Sequence, residues 1–340
     1  MKKGLVAAII GMGEHMLRAH VPYILKEGVV ISRYFDPKVK KSDLMEFFND
    51  DIPVKSTLQE IYNDKAIDVV FIGSPDKYHP EQFFDSVNAG KHVFIEKPLA
   101  IGYEGMNIVN NALRIAKEKG LIISSCHPRR FDPPIVELKK LIHEKDGIIS
   151  DMVGDFSKAQ IQKFEFSFLY HKVTDEWKKD RSLLLDHFGH EIDLLRFMFD
   201  WLSPDIFISG KKISDSYARY EAEGRIGIID GNFVDYLFTG ERVLEESQYK
   251  EFIKIRGSKG SLLLNINSGV LFVQNKLGEA KEIQLSKKSY ECMFAPVNKD
   301  FIDAILNKKD PYLTHDDLRV NNSSGIFLKE DGGFTVSATN

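Results

Sequence analysis

Apolar residues 5–10 form a short continuous run rather than an alternating one, as expected of a strand buried on both faces of a parallel sheet. Residues 29–35, 68–72, 91–95 and 121–125, each with an apolar stretch, read as further strands. Segments of helical spacing lie between them. They cover 15–26, interrupted or restarted near Pro22, then 40–48, then a helix opened by the capping-box spacing Thr57-Leu58-Gln59-Glu60. Two more cover 81–88 and 103–119, stopped at Gly90 and Gly120. This rhythm predicts an α/β domain over residues 1–125, a doubly wound parallel sheet.

The pattern changes after Asp146. Residues 154–170 have strand character, 177–200 contain one strong helix, and 206–285 break into short strand-like runs separated by Gly, Asn, Asp and Ser. Examples are 231–238 and 261–265. A mostly antiparallel sheet with one buried face follows, forming an α+β domain over 126–340. A late helix at 301–306 is expected, and the late helices are free to pack back on the first domain.

At 340 residues the chain exceeds the usual size of a single core, which supports two domains. A net charge of −4 argues against nucleic acid as a partner and gives no support for binding to an anionic membrane. No apolar run approaches the roughly 20 residues needed to cross a bilayer. Met1-Lys2-Lys3 before the apolar residues 5–10 imitates a signal peptide, but the stretch is short and glycines follow, so a buried first strand explains it better. The two cysteines, Cys126 and Cys292, are far apart and form no CxxC. A disulfide framework or thiolate zinc site is therefore not expected, and the reducing cytoplasm is the natural compartment.

Gly11-Met12-Gly13 follows the first strand and opens a helix. The first glycine permits a tight turn and the second lets a pyrophosphate approach the backbone, with free N–H groups at the helix start. Gly11, Met12, Gly13, Glu14, His15 and Met16 are thus candidate cofactor contacts, although Met16 stands where the fingerprint has Gly or Ala. The alternative is a tight turn without a ligand. Asp36 closes the second strand, where an acid binds the adenosine ribose and repels a 2′-phosphate, favouring NAD. Lys38, Lys40 and Lys41 keep NADP open, and Asp36-Pro37 could simply start a turn. Ser74, Pro75 and His79 follow another strand. They either line the nicotinamide side, or His79 caps the helix that begins at Pro80.

Glu96-Lys97-Pro98 ends the run 92–95, which places Lys97 at the mouth of the sheet, where ligands of such sheets bind. Asp186, His190 and Asp193 are spaced to share one helix face. A carboxylate one turn from a histidine orients the imidazole and raises its basicity, which suits a base removing a hydroxyl proton. Lys97 would hydrogen-bond the reacting oxygen. The bland alternative is a helix cap at Asp186 and a packed His190. Another is metal binding by His187, His190 and Glu191, but no further ligand cluster is visible, so no metal is expected. His187 points away from the His190 face or flanks a substrate.

These residues resemble the Gfo/Idh/MocA oxidoreductase family over nearly the whole chain. Gly11-Met12-Gly13 is similar to its Rossmann cofactor loop, and Glu96-Lys97-Pro98 to its EKP motif, whose lysine is catalytic and whose proline is often cis. Asp186, His190 and Asp193 resemble its D-x-G-x-H-x-x-D helix. Arg129-Arg130-Phe131-Asp132-Pro133 resembles a segment near the substrate, and Ile255-Arg256-Gly257-Ser258-Lys259-Gly260 the family's second-domain turn. Residues 300–305 and 311–317 resemble its C-terminal helix and the segment after it.

The resemblance implies NAD (NADP possible), a sugar- or polyol-like substrate, and Lys97, Asp186 and His190 as the catalytic group. It implies substrate contacts from Lys97, Arg129, Arg130, Trp177, Asp186, His187 and His190, further cofactor contacts from Glu96 and Lys97, and homo-oligomers packed through the second-domain sheet. Phe188 stands where the family has glycine, with Gly189 displaced by one, and is expected to narrow the pocket or turn the helix. Arg181-Ser182-Leu183 replaces the usual glycine pair, and the segment 177–186 looks shortened. Three readings follow. One is an NAD(P)-dependent dehydrogenase acting on a CH–OH group. The second is a non-catalytic nucleotide-binding sensor. The third keeps catalysis on another substrate, with Arg129 and Arg130 pairing to its carboxylate or phosphate rather than to surface acids.

Overall fold

The computed structural model describes residues 4–48, 51–156, 161–170, 183–199, 207–215, 218–227, 233–243, 245–315, 317–318 and 333–337. The chain divides into two compact units, residues 1–128 with 294–322, and residues 129–293 with 323–340.

The first unit holds a six-stranded parallel sheet. Its elements are β1 (Val6–Ile10), α1 (Glu14–Ala19), α2 (Val21–Lys26), β2 (Val30–Phe35), α3 (Lys41–Phe48), β3 (Val54–Lys55), α4 (Leu58–Asn63), β4 (Val69–Ile72), α5 (His79–Asn88), β5 (His92–Ile95), α6 (Gly102–Glu118) and β6 (Ile123–Ser125). The strand order is β3-β2-β1-β4-β5-β6. Residues Ala7 to Ile10 are fully buried, which is why β1 reads as a continuous apolar run rather than an alternating one. Ala8, Ile10, Val70, Ile72, Val93 and Ile95 pack with Val109, Ala112 and Ala116 of α6 on one face. On the other face Phe71 and Phe94 meet the ring of Phe301 at 5.7 and 5.4 Å. Helical cover on both faces makes the sheet doubly wound.

The capping box forms as expected: Thr57 N–H donates to Glu60 Oε2 at 2.7 Å, and Glu60 N–H donates to Thr57 Oγ1 at 3.2 Å. The helix expected over 15–26 is two helices, broken at His20 (φ −126°, ψ −53°). Pro22 has no N–H to continue the ladder, so the second helix starts afresh with proline in its first turn.

The second unit contains α7 (Pro133–His143), α8 (Ile148–Met152), β7 (Ile161–Tyr170), α9 (Leu183–Met198), β8 (Phe207–Asp215), β9 (Arg219–Gly227), β10 (Phe233–Arg242), β11 (Lys250–Gly257), β12 (Gly260–Asn265), β13 (Val270–Asn275) and β14 (Ala280–Gln284). After α10 (Tyr290–Asn307), β15 (Gly333–Ser337) completes a nine-stranded sheet, ordered β14-β13-β12-β11-β7-β10-β9-β8-β15. Every pairing is antiparallel except β7 with β10. Alternate residues Phe164, Phe166 and Phe168 of β7 and Val234, Tyr236 and Phe238 of β10 are buried. Helix α9 and the residue after it cover this face, with Phe188 of α9 on Phe238 at 5.9 Å and Phe199, just past its end, on Phe164 at 4.8 Å. Phe188 therefore fills the core under the sheet. The late helix starts well before residue 301, and Pro296 lies inside it.

Candidate functional site

The carboxyl edge of the first unit's sheet is held in step by four backbone bonds. Gly11 N–H donates to Phe35 O, Gly73 N–H to Ile10 O, Glu96 N–H to Ile72 O and Cys126 N–H to Ile95 O. The glycine turn, Ser74, Glu96-Lys97 and Cys126 thus line up along one edge. Gly11 has φ +86°, and a Cβ there would lie 2.3 Å from Ser74 N, so only glycine fits. A Cβ on Gly13 would meet nothing within 4 Å, which leaves the turn open to a phosphate group.

Met16 occupies the position of the missing third glycine, and the sheet accommodates it. Its side chain packs over Gly73 at the end of β4, where a Cβ would come within 2.6 Å of Met16 Cε. The close approach of helix to strand is kept, with the small residue on the strand side.

Asp36 ties two loops together. Its Oδ2 accepts Met12 N–H at 3.0 Å, while Oδ1 accepts Lys38 N–H at 2.8 Å and Val39 N–H at 3.0 Å. The acid that would face a ribose also fixes the turn that would face the pyrophosphate. Ser74 Oγ donates to Gln82 Oε1 at 2.5 Å. His79 is buried, with Nδ1 2.7 Å from Pro98 O and Nε2 2.8 Å from Ser74 O. It braces the loops after β4 and β5. Burial pushes its pKa below the ordinary value, against the pull of the two carbonyls.

The Lys97–Pro98 bond is cis and Lys97 is half-buried. Its neighbour Glu96 is largely buried. Glu96 Oε1 lies 2.6 Å from His20 Nε2 and 3.2 Å from His15 Nε2, and Oε2 accepts Lys97 N–H at 3.3 Å. Burial pushes the Glu96 carboxyl up, but the two histidines outweigh it and hold it well below the usual carboxylate value.

In the second unit His190 is half-buried on α9, and His187 is buried against Phe168 and Tyr220 at 5.9 and 6.1 Å. Glu191 is fully buried and accepts the Tyr220 hydroxyl. Asp186 lies on the same helix, while Trp177 lies outside the described residues. Asp193 is paired with Arg130, whose Nε donates to both carboxylate oxygens at 3.0 and 2.9 Å and whose Nη2 donates at 2.7 Å. Arg129 grips Glu251 with Nη2–Oε1 at 2.7 Å and Nη1–Oε2 at 3.2 Å, and stacks over Phe168 at 4.4 Å. Both forks make buried ion pairs inside the unit, where the sequence also allowed an ordinary surface pair. Lys288 also contacts Glu251, and burial pushes the nearby Asp132 carboxyl up to about 6.

A parallel sheet of this strand order, with a glycine turn after its first strand, defines a dinucleotide-binding Rossmann module. Residues 5–127, a little over a third of the chain, match the model of the "Oxidoreductase family, NAD-binding Rossmann fold", the Gfo/Idh/MocA model. A 2,7-anhydro-N-acetylneuraminate hydratase of Mediterraneibacter gnavus is 24% identical over 268 residues, 76% of this chain and 67% of the relative. A scyllo-inositol 2-dehydrogenase (NADP(+)) of Bacillus subtilis is 38% identical over 177 residues, 50% of this chain and 46% of the relative. The structure of a 3-ketoreductase from Actinomadura kijaniata, in complex with TDP-benzene and NADP, shares the fold with a TM-score of 0.70 at 18% identity, covering 95% of this chain and 96% of that one. The residues of the glycine turn fit a nicotinamide dinucleotide, NAD or NADP: the space over Gly13 is open and Asp36 fixes the turn backbone.

Proposed function

We propose that the protein is an NAD(P)-dependent dehydrogenase interconverting a secondary alcohol and a ketone on a sugar- or polyol-like substrate. The observation that supports this most is the place of Lys97, at the end of β5 on the sheet edge that also carries the glycine turn. When bound, the nicotinamide accepts or supplies the hydride. Gly11 to Met16 and Asp36 hold the dinucleotide, with Ser74, Pro75, Glu96 and Lys97 toward its nicotinamide end and His79 bracing the loops there. Lys97 hydrogen-bonds the reacting oxygen and stabilises charge on it. His190, with Asp186 one turn before it, takes the hydroxyl proton during oxidation and returns it during reduction. Arg129 and Arg130 act by positioning, since their forks are engaged with Glu251 and Asp193. Relatives that act on sialic-acid-like and inositol compounds support a polyhydroxylated substrate. The test is nicotinamide reduction at 340 nm, a wavelength set by the cofactor, across a panel of sugars, inositols and their keto forms. Dinucleotide binding without turnover on any of them would favour a sensor instead.

The Asp36 carboxylate favours NAD. Asp36→Ser is expected to weaken NAD by about tenfold to a hundredfold, the loss of one or two hydrogen bonds to a charged group. NADP affinity would hold or rise, as read by fluorescence titration. An equal loss for both would mean that Asp36 acts only by fixing the Met12 turn.

We also infer a homo-oligomer built on the exposed face of the second sheet. There Leu263 and Phe272 are cross-strand partners, 37% and 47% exposed, beside Lys254 and Glu165. A Phe272→Glu variant is expected to shift the mass measured by light scattering toward the monomer; an unchanged mass would place the contact elsewhere. Among the described residues no helix is long and apolar enough to cross a membrane. The free thiols of Cys126 and Cys292 are compatible with a cytoplasmic setting.

A further inference from the structure

His15, His20, Glu96 and Cys126 come from four separate places in the first unit, yet they offer one ligand atom each within 4.8 Å of one another. His15 is in α1, His20 is the break before α2, Glu96 follows β5 and Cys126 follows β6. The contacts among them are 2.6 Å (His20 Nε2 to Glu96 Oε1), 3.2 Å (His15 Nε2 to Glu96 Oε1) and 3.7 Å (Cys126 Sγ to His20 Nε2). Ligand atoms about 2.0–2.3 Å from a tetrahedral zinc ion stand about 3.3–3.6 Å apart. The His20–Glu96 contact must open by well under 1 Å, and separations of up to 4.8 Å must close by about 1 Å.

The outer shell is the second observation. Asn298 Nδ2 donates to Phe294 O at 2.8 Å and Ala19 O at 3.4 Å, so its Oδ1 is the acceptor that faces His20 Nδ1 at 3.0 Å. His20 therefore carries a hydrogen on Nδ1, and its Nε2 is aimed into the cluster. A metal-bound histidine needs this arrangement, with the far nitrogen held by an oxygen that fixes tautomer and ring angle. The rings of Phe94 and Phe294 pack on His20 at 5.2 and 5.8 Å and limit water. The His15 side chain is 51% exposed and provides an entry path.

Charge completes the case. Between His20 Nε2 and Glu96 Oε1, at 2.6 Å, there must be a proton or a cation. A thiolate, a carboxylate and two neutral imidazoles balance one divalent ion in this mostly buried place. We propose that His15, His20, Glu96 and Cys126 form a tetrahedral site for a zinc-like divalent ion. The N₂OS donor set suits zinc, or cobalt as its spectroscopic stand-in. Binding forms four coordinate bonds and releases two protons to solvent, one from Cys126 Sγ and one from between His20 and Glu96. The ion would brace the backbone of Glu96 and hence that of Lys97. Sequence spacing argues against a thiolate metal site because it looks for CxxC, whereas this one is assembled by the sheet edge.

The test is titration of the chelator-treated full-length protein with Co²⁺. One equivalent is expected to give visible bands of tetrahedral cobalt with a near-ultraviolet thiolate-to-cobalt band, both abolished by excess Zn²⁺. Cys292→Ser is expected to keep the thiolate band and Cys126→Ser to lose it. Asn298→Ala is expected to lower affinity by about 10–100-fold. A wild-type protein with no bands at one equivalent overturns the proposal, and so does a thiolate band that survives Cys126→Ser. Dinucleotide binding is followed separately by nicotinamide fluorescence, so loss of the metal site leaves the hydride-transfer reading standing.

Discussion

Lys97→Ala is expected to lower turnover by about 10²–10⁴-fold while dinucleotide affinity holds, because the lysine is assigned to the reacting oxygen rather than to the cofactor phosphates. His190→Ala is expected to fall in the same range. If the two groups act on one proton transfer, the double variant loses less than the product of the single losses. Steady-state rates with an active sugar or polyol, set beside a fluorescence titration of the dinucleotide, separate chemistry from binding. Turnover within about tenfold of wild type in either variant would remove that residue from the mechanism, since a group assisting proton transfer contributes more than this. A parallel loss of dinucleotide binding would instead mean that Lys97 holds the cofactor.

The largest expected effect on stability is at Glu251. Its carboxylate is 2% exposed and takes both Arg129 and Lys288. Glu251→Ala leaves two cations facing each other in a buried place and is expected to cost about 3–5 kcal/mol. Urea unfolding measures this, and a loss under about 1 kcal/mol would mean that water reaches the cluster. The same cluster sets opposite pH dependences. Burial raises the Glu251 carboxyl, but Arg129 and Lys288 outweigh it and hold it below its ordinary value of 4.5. Its stabilisation is therefore present above that value and lost as pH falls through the depressed one. Asp132 runs the other way, from 3.8 up to about 6 by burial, with Lys288 and Arg129 opposing. Its folded-state preference for the proton is fully present below 3.8 and lost as pH rises through about 6. Asp132→Asn is expected to stabilise the protein at pH 7 by at most about 3 kcal/mol and to flatten the profile between those values.

Local signals carried the first unit well. The buried strands read as apolar runs because both faces are covered, and the capping box at Thr57 is a pattern four residues long. Proline hid the rest. No element was expected over 133–143, yet α7 begins at Pro133 because the first turn of a helix needs no N–H from proline. Pro296 likewise hid the first turns of α10. Strand β3, only Val54 and Lys55, is too short for any period to show. In the candidate site the glycine turn and Glu96-Lys97-Pro98 were legible from spacing. The partners of Arg129, Arg130 and His20 were not, because they lie 122, 63 and 76 residues away in sequence and only the fold joins them. The one available hint at His20 was the helix restart forced by Pro22.

The packing of Met16 on Gly73 means that the size constraint at this contact belongs to a pair of positions. A large residue on the helix is tolerated because the strand end is bare. Each position thus dictates what the other accepts. Met16→Gly alone is expected to open a void and Gly73→Ala alone to crowd Met16 Cε, while the two together relieve that clash and leave the new Cβ 3.2 Å from Gly11 O. The small residue of this contact stands on the strand rather than on the helix, so a search for the glycine motif along one segment overlooks it.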